Sequence, residues 1–290
     1  MNETVYILLP VHNRCEVTRR FIDCLKVQTY HNFHLVLIDD GSTDGTSDMV
    51  REYIAAMTVI NGKGNWWWAG SLQQGYLWLK KQNIPQNSIV LIINDDTIFE
   101  PDFIEKAVML LADQKRMLLC AYYYSLQDGR LIDSGLHIDW KEFTYHHNCI
   151  PEQINCLSTR GIFLRFSDLK EIGGFFNKLL PHYFSDYEFT IRAHKKGFKL
   201  TTVVMLMLWG DESTTGTHVV EAETTWLTIK ELFSIKTSLN PAVMSVYIIL
   251  ACPSRWIFLN LLRIWRPVLT ILGDTLLKDF RRIKYKIIRL

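Results

Sequence analysis

The stretch LIINDDTIFE, residues 91–100, carries an apolar, strand-like run directly into two adjacent carboxylates, Asp95 and Asp96. Like charges side by side repel each other, and carboxylates are costly to remove from water. A buried strand that ends in this way indicates either an exposed strand end or a site that receives a positive charge.

Outward from this stretch, short apolar runs alternate with segments of helical spacing over the first 120 residues. The predicted strands cover residues 5–11, 34–40, 59–60, 88–95, 117–124 and 198–208. The predicted helices cover residues 16–27, 46–56, 70–81 and 101–112. This alternation predicts an α/β fold with a mostly parallel central sheet and helices on both faces.

A second acidic pair, Asp39 and Asp40, also closes a predicted strand. In open α/β sheets, ligands bind outside the carboxyl ends of the strands. Because parallel strands end at the same edge of a sheet, we expect the two acidic pairs to converge on one binding pocket.

Composition narrows the class of protein. The chain has 290 residues, enough for one large domain or two small ones, and its net charge of +2 makes no case for a nucleic-acid partner. Its six cysteines lack the spacing of a zinc site, which favours free thiols in a reducing compartment. Residues 1–14 lack the basic region, apolar core and cleavage site of a signal peptide, so we expect a cytoplasmic protein.

The motif LIDDGSTDGT (37–46) follows a predicted helix and the strand LLPVHNR (8–14). This order resembles the family 2 inverting glycosyltransferases, whose nucleotide-sugar-binding domain has the Rossmann-like GT-A fold. The resemblance covers roughly residues 4–215. We therefore predict a GT-A catalytic domain in residues 1–220 and a helical, basic C-terminal extension in residues 221–290.

The resemblance also implies a set of donor-binding residues. It implies that Asp40 accepts the imino hydrogen of a uracil or thymine base, with Asp39 beside it. It implies further that Pro10, His12 and Asn13 pack against the base and the ribose. A UDP-sugar and a dTDP-sugar are both candidate donors, because the two bases present the same imide.

The segment INDDT resembles the family's Asp-x-Asp-like motif, with Asn94 at the first position. The resemblance implies that Asp96 binds Mg²⁺ or Mn²⁺, with Asp95 near the ribose or the ion. Hard carboxylate oxygens suit these ions, which combine one or two protein carboxylates with substrate phosphates. The positive charge that the pair requires would then arrive with the donor. No histidine stands where the family often has a further ligand, and Asp211 and His218 are candidate replacements.

The stretch GNWWWAGSLQQGYLW (64–78) resembles a helix start on the donor side, with Gly70 and Gln74 at matching positions. Backbone N–H groups at a helix start suit a diphosphate. Three consecutive tryptophans cannot all face one core in a regular element, and we assign Trp68 to the cleft. The alternative is that all three are packing residues.

The most specific stretch is GGFFNKLLPHYFSDYEFTIRAHKKG. Its resemblance to the family implies that Asp186 is the catalytic base and that Glu188 and Arg192 support the substrate site. The aromatic residues before Asp186 would exclude water and raise its proton affinity. Arg160, in the preceding segment, is expected to reach the donor sugar or its phosphates. Alternatively, Ser185 and Glu188 form a capping box of an ordinary helix.

Residues 255–290 contain nine Lys or Arg and two Asp, interleaved with tryptophan and aliphatic residues. This composition favours peripheral attachment to an anionic surface, here the inner face of a membrane. The apolar run before it, residues 242–252, is too short to span a bilayer. The alternative is a helical cap on the protein's own core.

Together these features predict a metal-dependent inverting glycosyltransferase. It would move a sugar from a UDP- or dTDP-sugar to a hydroxyl of a glycan or a lipid-linked glycan, as in lipopolysaccharide or capsule assembly. The alternative is a subunit that binds a nucleotide sugar, or acts as a scaffold, without catalysis. A sugar nucleotidyltransferase would carry a glycine-rich, basic phosphate loop, and LLPVHNR is not one. The sugar, the acceptor and the oligomeric state stay open.

Overall fold

The computed structural model describes residues 3–147, 149–211, 232–235 and 237–287, with side chains described up to residue 270. The chain forms two compact units. The first comprises Met1–Asp139 and Thr144–Gly216, and the second comprises Trp140–Phe143 and Thr217–Leu290. The predicted domain boundary at residue 220 lies outside the described residues.

The first unit alternates strands and helices along the chain. Its described strands are β1 Val5–Val11, β2 Phe33–Asp39, β3 Met57–Asn61, β4 Ile89–Ile92, β5 Thr97–Ile98, β6 Met117–Ser125, β7 Leu131–Asp133, β8 Leu136–Asp139, β9 Thr144–His147, β10 Ile162–Arg165 and β11 Lys199–Gly210. Its described helices are α1 Cys15–Lys26, α2 Thr46–Tyr53, α3 Trp67–Lys81, α4 Phe103–Leu111, α5 Phe166–Ile172 and α6 Ser185–Lys195.

The central sheet has the strand order β3-β2-β1-β4-β10-β6-β11-β5, with β7 beside β6. Strands β3, β2, β1 and β4 pair in parallel, and β11 pairs in parallel with β6. Strand β10 runs antiparallel between β4 and β6, and β5 runs antiparallel to β11. The predicted fold class, a mostly parallel sheet with flanking helices, is therefore confirmed. A strand was expected within residues 155–166, where β10 lies, but neither its antiparallel direction nor strand β5 was predicted.

The core lies on both faces of this sheet. Alternate residues of β1 point to opposite sides: Ile7 and Leu9 join the cluster with α1, α2 and α4, whereas Leu8 joins the cluster with α3, α5 and α6. A strand buried on both faces must be apolar at nearly every position, which explains its continuous hydrophobic run. Each such side chain contributes about 1.5–3 kcal/mol when fully buried.

Two differences from the predicted bounds affect the site. The strand that was predicted to run into the acidic pair ends at Ile92, so Asp95 and Asp96 lie in the turn that follows β4. Helix α3 begins at Trp67, earlier than predicted, and therefore includes two of the three tryptophans.

In the second unit, α7 spans Pro241–Ala251 and α8 spans Ser254–Ile287. The side chain of Asn240 accepts hydrogen bonds from the first N–H groups of α7, an N-cap that explains where this helix starts. The Trp265 ring N–H of α8 donates to the Ser245 hydroxyl of α7 at 2.9 Å. Among the helices that the structure describes, none combines the length and the apolar character needed to cross a bilayer.

Candidate active site

The site is built at the carboxyl edge of the parallel strands. Strand β1 lies between β2 and β4, and the register pairs Val11 with Asp39 and Leu8 with Ile92. The three strands therefore end at the same edge, and the two acidic pairs flank the end of β1. The segment between β1 and α1 contacts both pairs.

Asp40 acts as a long-range cap for the start of α3. Its two oxygens accept hydrogen bonds of 2.7 to 3.2 Å from four successive backbone N–H groups, those of Gly64, Asn65, Trp66 and Trp67. A carboxylate has about four acceptor positions, so these donors use its full capacity. The predicted contact of Asp40 with a base imide must therefore compete with donors that the protein already supplies.

Two further N–H groups of α3, those of Ala69 and Gly70, are also bonded within the protein. Ala69 donates to the carbonyl oxygen of Pro181 at 3.0 Å, and Gly70 donates to that of Trp66 at 3.1 Å. Of the N–H groups that were expected to face a diphosphate at the start of α3, those of Trp67, Ala69 and Gly70 are therefore already engaged by the protein itself. Gly70 is buried, and a Cβ there would lie 3.0 Å from the Cβ of Trp66, so packing accounts for the glycine. Gln74 is half-buried.

Asp39 and Asn13 fasten the loop between β2 and α2. Asp39 is buried and accepts hydrogen bonds from the backbone N–H of Ser42 at 2.7 Å and from the Ser47 hydroxyl. Asn13 is exposed, has a φ of 50° and accepts a hydrogen bond from the backbone N–H of Thr43 at 2.7 Å. These two predicted donor-site residues therefore hold the loop that would lie against a nucleoside.

His12 is exposed at the end of β1, two residues after the buried Pro10. Its Nδ1 lies 2.7 Å from the backbone carbonyl oxygen of Asp40, which can only accept, so Nδ1 carries the proton. Its Nε2 then accepts from the Asn13 side-chain amide at 3.3 Å. Both ring nitrogens are engaged, which fixes the orientation of the ring.

The second acidic pair is bridged by an arginine. Arg14 places one guanidinium nitrogen 3.2 Å from Asp95 Oδ1 and another 3.1 Å from Asp96 Oδ2. The Thr18 hydroxyl donates to Asp95 Oδ2 at 2.9 Å. The pKa of Asp95 is raised to about 6, chiefly by burial; Arg14 opposes this rise and the Asp96 charge adds to it. The expectation that all positive charge arrives with the donor is thereby corrected, because the chain supplies one cation itself.

The acidic pair offers the oxygen ligands that a hard divalent ion prefers. Asp95 and Asp96 are adjacent carboxylates at one strand end, which fits Mg²⁺ or Mn²⁺ completed by phosphate oxygens. Asp211 lines the same small cavity as this pair, and His218 lies outside the described residues. Within residues 3–147, 149–211, 232–235 and 237–287, no three His, Cys, Asp or Glu side chains form a metal-binding group by themselves. The carbonyl of Asn94 accepts from Thr97 and closes the turn.

Asp186 lies in the first turn of α6 and is half-buried. Burial raises its pKa to about 6, against the opposing effects of the Tyr187 backbone N–H and the Arg160 charge. The Asp133 charge acts in the same direction as burial, and the value of about 6 is the balance of all these effects. The Arg160 guanidinium lies over the ring of Tyr123 at 5.0 Å, and its charge lowers the pKa of Asp186. A carboxyl group in this range is ionised at neutral pH and still basic enough to accept a proton.

The start of α6 does not have the capping box that Ser185 and Glu188 suggested. Phe184 precedes the helix with a φ of 63°, the Ser185 hydroxyl donates to the carbonyl oxygen of His182 at 2.8 Å, and Glu188 faces away from the helix start. The capping-box interpretation is therefore wrong. A left-handed conformation at a bulky residue such as Phe184 is uncommon, and strained residues of this kind cluster at functional sites.

Glu188 and Arg192 pair with each other rather than pointing to open space. Arg192 donates to the two carboxylate oxygens of Glu188 at 2.8 and 3.0 Å. It also donates to the carbonyl oxygens of Ile172 at 2.5 Å and Gly174 at 2.8 Å. The pair therefore fastens the segment at residues 172–174 to α6, the helix whose first turn carries Asp186.

The three consecutive tryptophans, residues 66–68, connect the carboxyl edge of the sheet to the segment before Asp186. The Trp67 and His182 rings lie with their centres 5.7 Å apart. The Trp68 ring N–H donates to the Thr159 hydroxyl at 3.3 Å, beside Arg160. The three tryptophans are half-buried, so each combines packing with exposure at this edge.

Sequence reasoning missed Arg14 and Gln73. The signal for Arg14 was the unbalanced charge of the acidic pair, together with a basic residue three positions after the end of β1. Gln73, the neighbour of the predicted Gln74, accepts a hydrogen bond from the backbone N–H of Phe175 at 2.7 Å. No pattern in the sequence distinguishes the two glutamines.

Comparison with known proteins agrees with this architecture. Residues 6–173 match the family model described as "Glycosyl transferase family 2". The amylovoran biosynthesis glycosyltransferase AmsB of Erwinia amylovora is 23% identical over 216 residues, which cover 68% of this chain and 66% of AmsB. The chain spans between 41% and 66% of the lengths of two curated relatives that it matches.

Two solved structures share the fold at low sequence identity. TarS of S. aureus in complex with UDP-GlcNAc has a TM-score of 0.55 and 15% identity, covering 86% of this chain and 71% of that one. The mannosyltransferase PcManGT of Pyrobaculum calidifontis in complex with GDP-Man and Mn²⁺ has a TM-score of 0.56 and 16% identity, covering 97% of this chain and 82% of that one. Since the family model matches more than half of its residues, the chain belongs to glycosyl transferase family 2.

Proposed function

We propose that this protein is an inverting glycosyltransferase that moves a sugar from a UDP- or dTDP-sugar to a hydroxyl of a glycan or lipid-linked glycan. The observation that carries this proposal is Asp186, a half-buried carboxylate with a pKa of about 6. The segment before it, at Pro181 and His182, contacts the start of α3, which Asp40 caps at the donor edge. A base beside a nucleotide-binding edge is the arrangement that direct transfer requires.

The residues that would hold a divalent ion are Asp96 and its neighbour Asp95. When bound there, Mg²⁺ or Mn²⁺ would supply charge stabilisation for the departing diphosphate. The proposal is supported by PcManGT, whose structure contains a nucleotide sugar and Mn²⁺, and by TarS, whose structure contains UDP-GlcNAc.

Asp186 takes the proton from the acceptor hydroxyl as that oxygen attacks the anomeric carbon. The new carbon–oxygen bond forms on the face opposite the bond to the nucleoside diphosphate, which breaks and keeps its electron pair. One displacement of this kind inverts the anomeric configuration. Arg160 stays near Asp186 throughout, and Glu188 with Arg192 keeps the helix start in place.

The test compares the native chain with Asp186→Asn in a panel of UDP- and dTDP-sugars, Mn²⁺ and sugar acceptors. A general base contributes about 100- to 10,000-fold, so release of nucleoside diphosphate should fall by that factor. The affinity for UDP should stay within about twofold, because the substitution keeps the shape and lies away from the base-binding loop. Native activity should rise with pH up to about 6 and then level off.

Asp113→Asn, an exposed carboxyl after α4, is the matched control and should leave the rate unchanged. Near-normal transfer by Asp186→Asn would exclude this residue as the base. Donor binding by the native chain without any release of nucleoside diphosphate would favour the non-catalytic binding subunit instead.

The same proposal includes peripheral attachment at the inner face of a membrane, through α8. Phe258, Leu262 and Leu269 are 73%, 52% and 63% exposed and share one helix face by their spacing. Arg255 and Arg266 are exposed on the same helix. An apolar stripe flanked by basic residues suits an anionic lipid surface.

Co-sedimentation of the full chain with phosphatidylcholine vesicles, with and without phosphatidylglycerol, tests this attachment. Binding should require the anionic lipid and should fall at least about tenfold in Phe258→Ser/Leu262→Ser. Met109→Ser, which removes an equally exposed apolar side chain from α4, should bind like the native chain. Equal binding by all three proteins would contradict the assignment to α8.

A further inference from the structure

Arg14 is the cation at the acidic pair, and the two sides of this ion pair differ in exposure. The Asp95 and Asp96 side chains are 4% and 6% exposed, whereas the Arg14 side chain is 31% exposed. The guanidinium fork contacts one oxygen of each carboxylate, so a single positive charge holds two negative charges together. The carboxylates are therefore fixed and the arginine is the member that can move.

The backbone around Arg14 is fastened on both sides. Asn13 donates its backbone N–H to the Ser42 hydroxyl at 2.9 Å, and Cys15 donates its backbone N–H to Asp44 Oδ2 at 2.9 Å. A change in the position of the guanidinium therefore requires only rotation of the side chain. Rotamer changes in partly exposed side chains are fast compared with catalytic turnover.

Charge decides when that rotation is favourable. Charges a few ångströms apart interact strongly in the effective dielectric of a protein surface, which is well below that of water. A divalent ion on Asp96 would lie beside the guanidinium and be repelled by it while Arg14 keeps its present position. A bound diphosphate supplies acceptor oxygens that suit a guanidinium and are also ligands for the ion.

We propose that Arg14 is a positioning residue that holds Asp95 and Asp96 in the resting protein and releases Asp96 to the divalent ion when a nucleoside diphosphate binds. This inference rests on the proposed function, because it assigns an order of binding to the same site. It makes metal binding dependent on the donor, so that the ion alone binds weakly. Arg14 touches the acidic pair and acts through it.

The experiment measures Mn²⁺ affinity by electron paramagnetic resonance of the unbound ion, with and without UDP, in the full chain. Arg14→Gln removes the competing cation, so Mn²⁺ alone should bind about tenfold more tightly than to the native chain. The increase in Mn²⁺ affinity caused by UDP should be about tenfold smaller in this variant. Arg14→Lys keeps the charge but lacks the guanidinium fork. Its affinity for Mn²⁺ alone should lie between those of the native chain and Arg14→Gln.

Arg51→Gln removes the same charge from the exposed side of α2 and should match the native chain in both conditions. If Arg14→Gln is too unstable to study, the Arg14→Lys variant must still bind Mn²⁺ alone more tightly than the native chain. Equal or weaker binding of Mn²⁺ alone by the folded Arg14 variants overturns the proposal. If the native chain with UDP binds no Mn²⁺, the metal-dependent function is itself wrong, and the proposal fails with it.

Discussion

The two acidic pairs occupy equivalent places in the sheet and are neutralised in opposite ways. Asp39 and Asp40 accept backbone N–H and hydroxyl groups that belong to fixed parts of the fold. Asp95 and Asp96 instead share one arginine side chain that is partly exposed. The first pair is thus part of the scaffold, whereas the second pair is held by a cation, Arg14, that a bound ligand can replace.

This difference shows that position at a strand end does not determine what a carboxylate does. Backbone donors cannot leave without breaking a loop or a helix, so the cost of moving Asp40 is a cost in stability. A side-chain cation can leave by rotation, so the cost of freeing Asp96 is small when a substitute charge arrives. Substitutions in the two pairs should therefore separate activity from stability.

The largest expected effect is that of Asp96→Asn on activity. The substitution keeps the shape but removes the charge that a divalent ion requires, so transfer should fall by about 1000-fold, equal to about 4 kcal/mol. The free energy of unfolding should change by less than about 1 kcal/mol, because Arg14 keeps Asp95 as its partner. Initial rates of UDP release and urea denaturation measure the two quantities. A large loss of stability with normal activity would assign Asp96 to the scaffold.

Asp40→Asn should show the reverse pattern. An amide nitrogen replaces one oxygen and faces two backbone N–H groups, so the free energy of unfolding should fall by about 3 kcal/mol. Urea denaturation measures the loss. Asp39→Asn is the matched control and should cost less than about 1.5 kcal/mol, because the Ser47 hydroxyl can change from donor to acceptor. Equal stability of Asp40→Asn and the native chain would mean that the four N–H groups do not need this carboxylate.

The smallest expected effect is on the pH dependence of stability. Burial raises the pKa of Asp95 from 3.8 to about 6 in the folded protein. Between these values the unfolded chain loses the proton and the folded chain keeps it, so stability falls as pH rises from about 4 to 6 and levels off above. At about 1.4 kcal/mol per pKa unit the whole shift is worth about 3 kcal/mol, of which roughly 2 kcal/mol falls between pH 4 and 7, and Asp95→Asn should remove that part. Urea unfolding between pH 4 and 7 measures it, and an unchanged slope in the variant would contradict the assignment.

The strands and helices of the first 120 residues could be predicted because their apolar spacing is local. Asp39, Asp40, Asp95 and Asp96 could be assigned to one edge because parallel strands share their direction. The short β10 could not be placed, because nothing local states that Ile162–Arg165 enters between β4 and β6 in the opposite direction. The capping box at Ser185 failed because a tertiary environment that holds Phe184 at positive φ overrode the local preference.

The sequence by itself determined the alternating architecture, the family and the residue types gathered at the ligand edge, because these follow from periodicity and from short motifs. Only the tertiary structure decided which groups neutralise each carboxylate. Asp40 finds its donors about 25 residues away and Asp96 finds Arg14 82 residues away. Such pairs depend on how the strands and loops pack, and hydrogen bonds act only over about 3 Å. Two similar pairs of adjacent aspartates therefore have different roles: Asp40 is a fixed helix cap, whereas Asp95 and Asp96 form an exchangeable ion pair with Arg14.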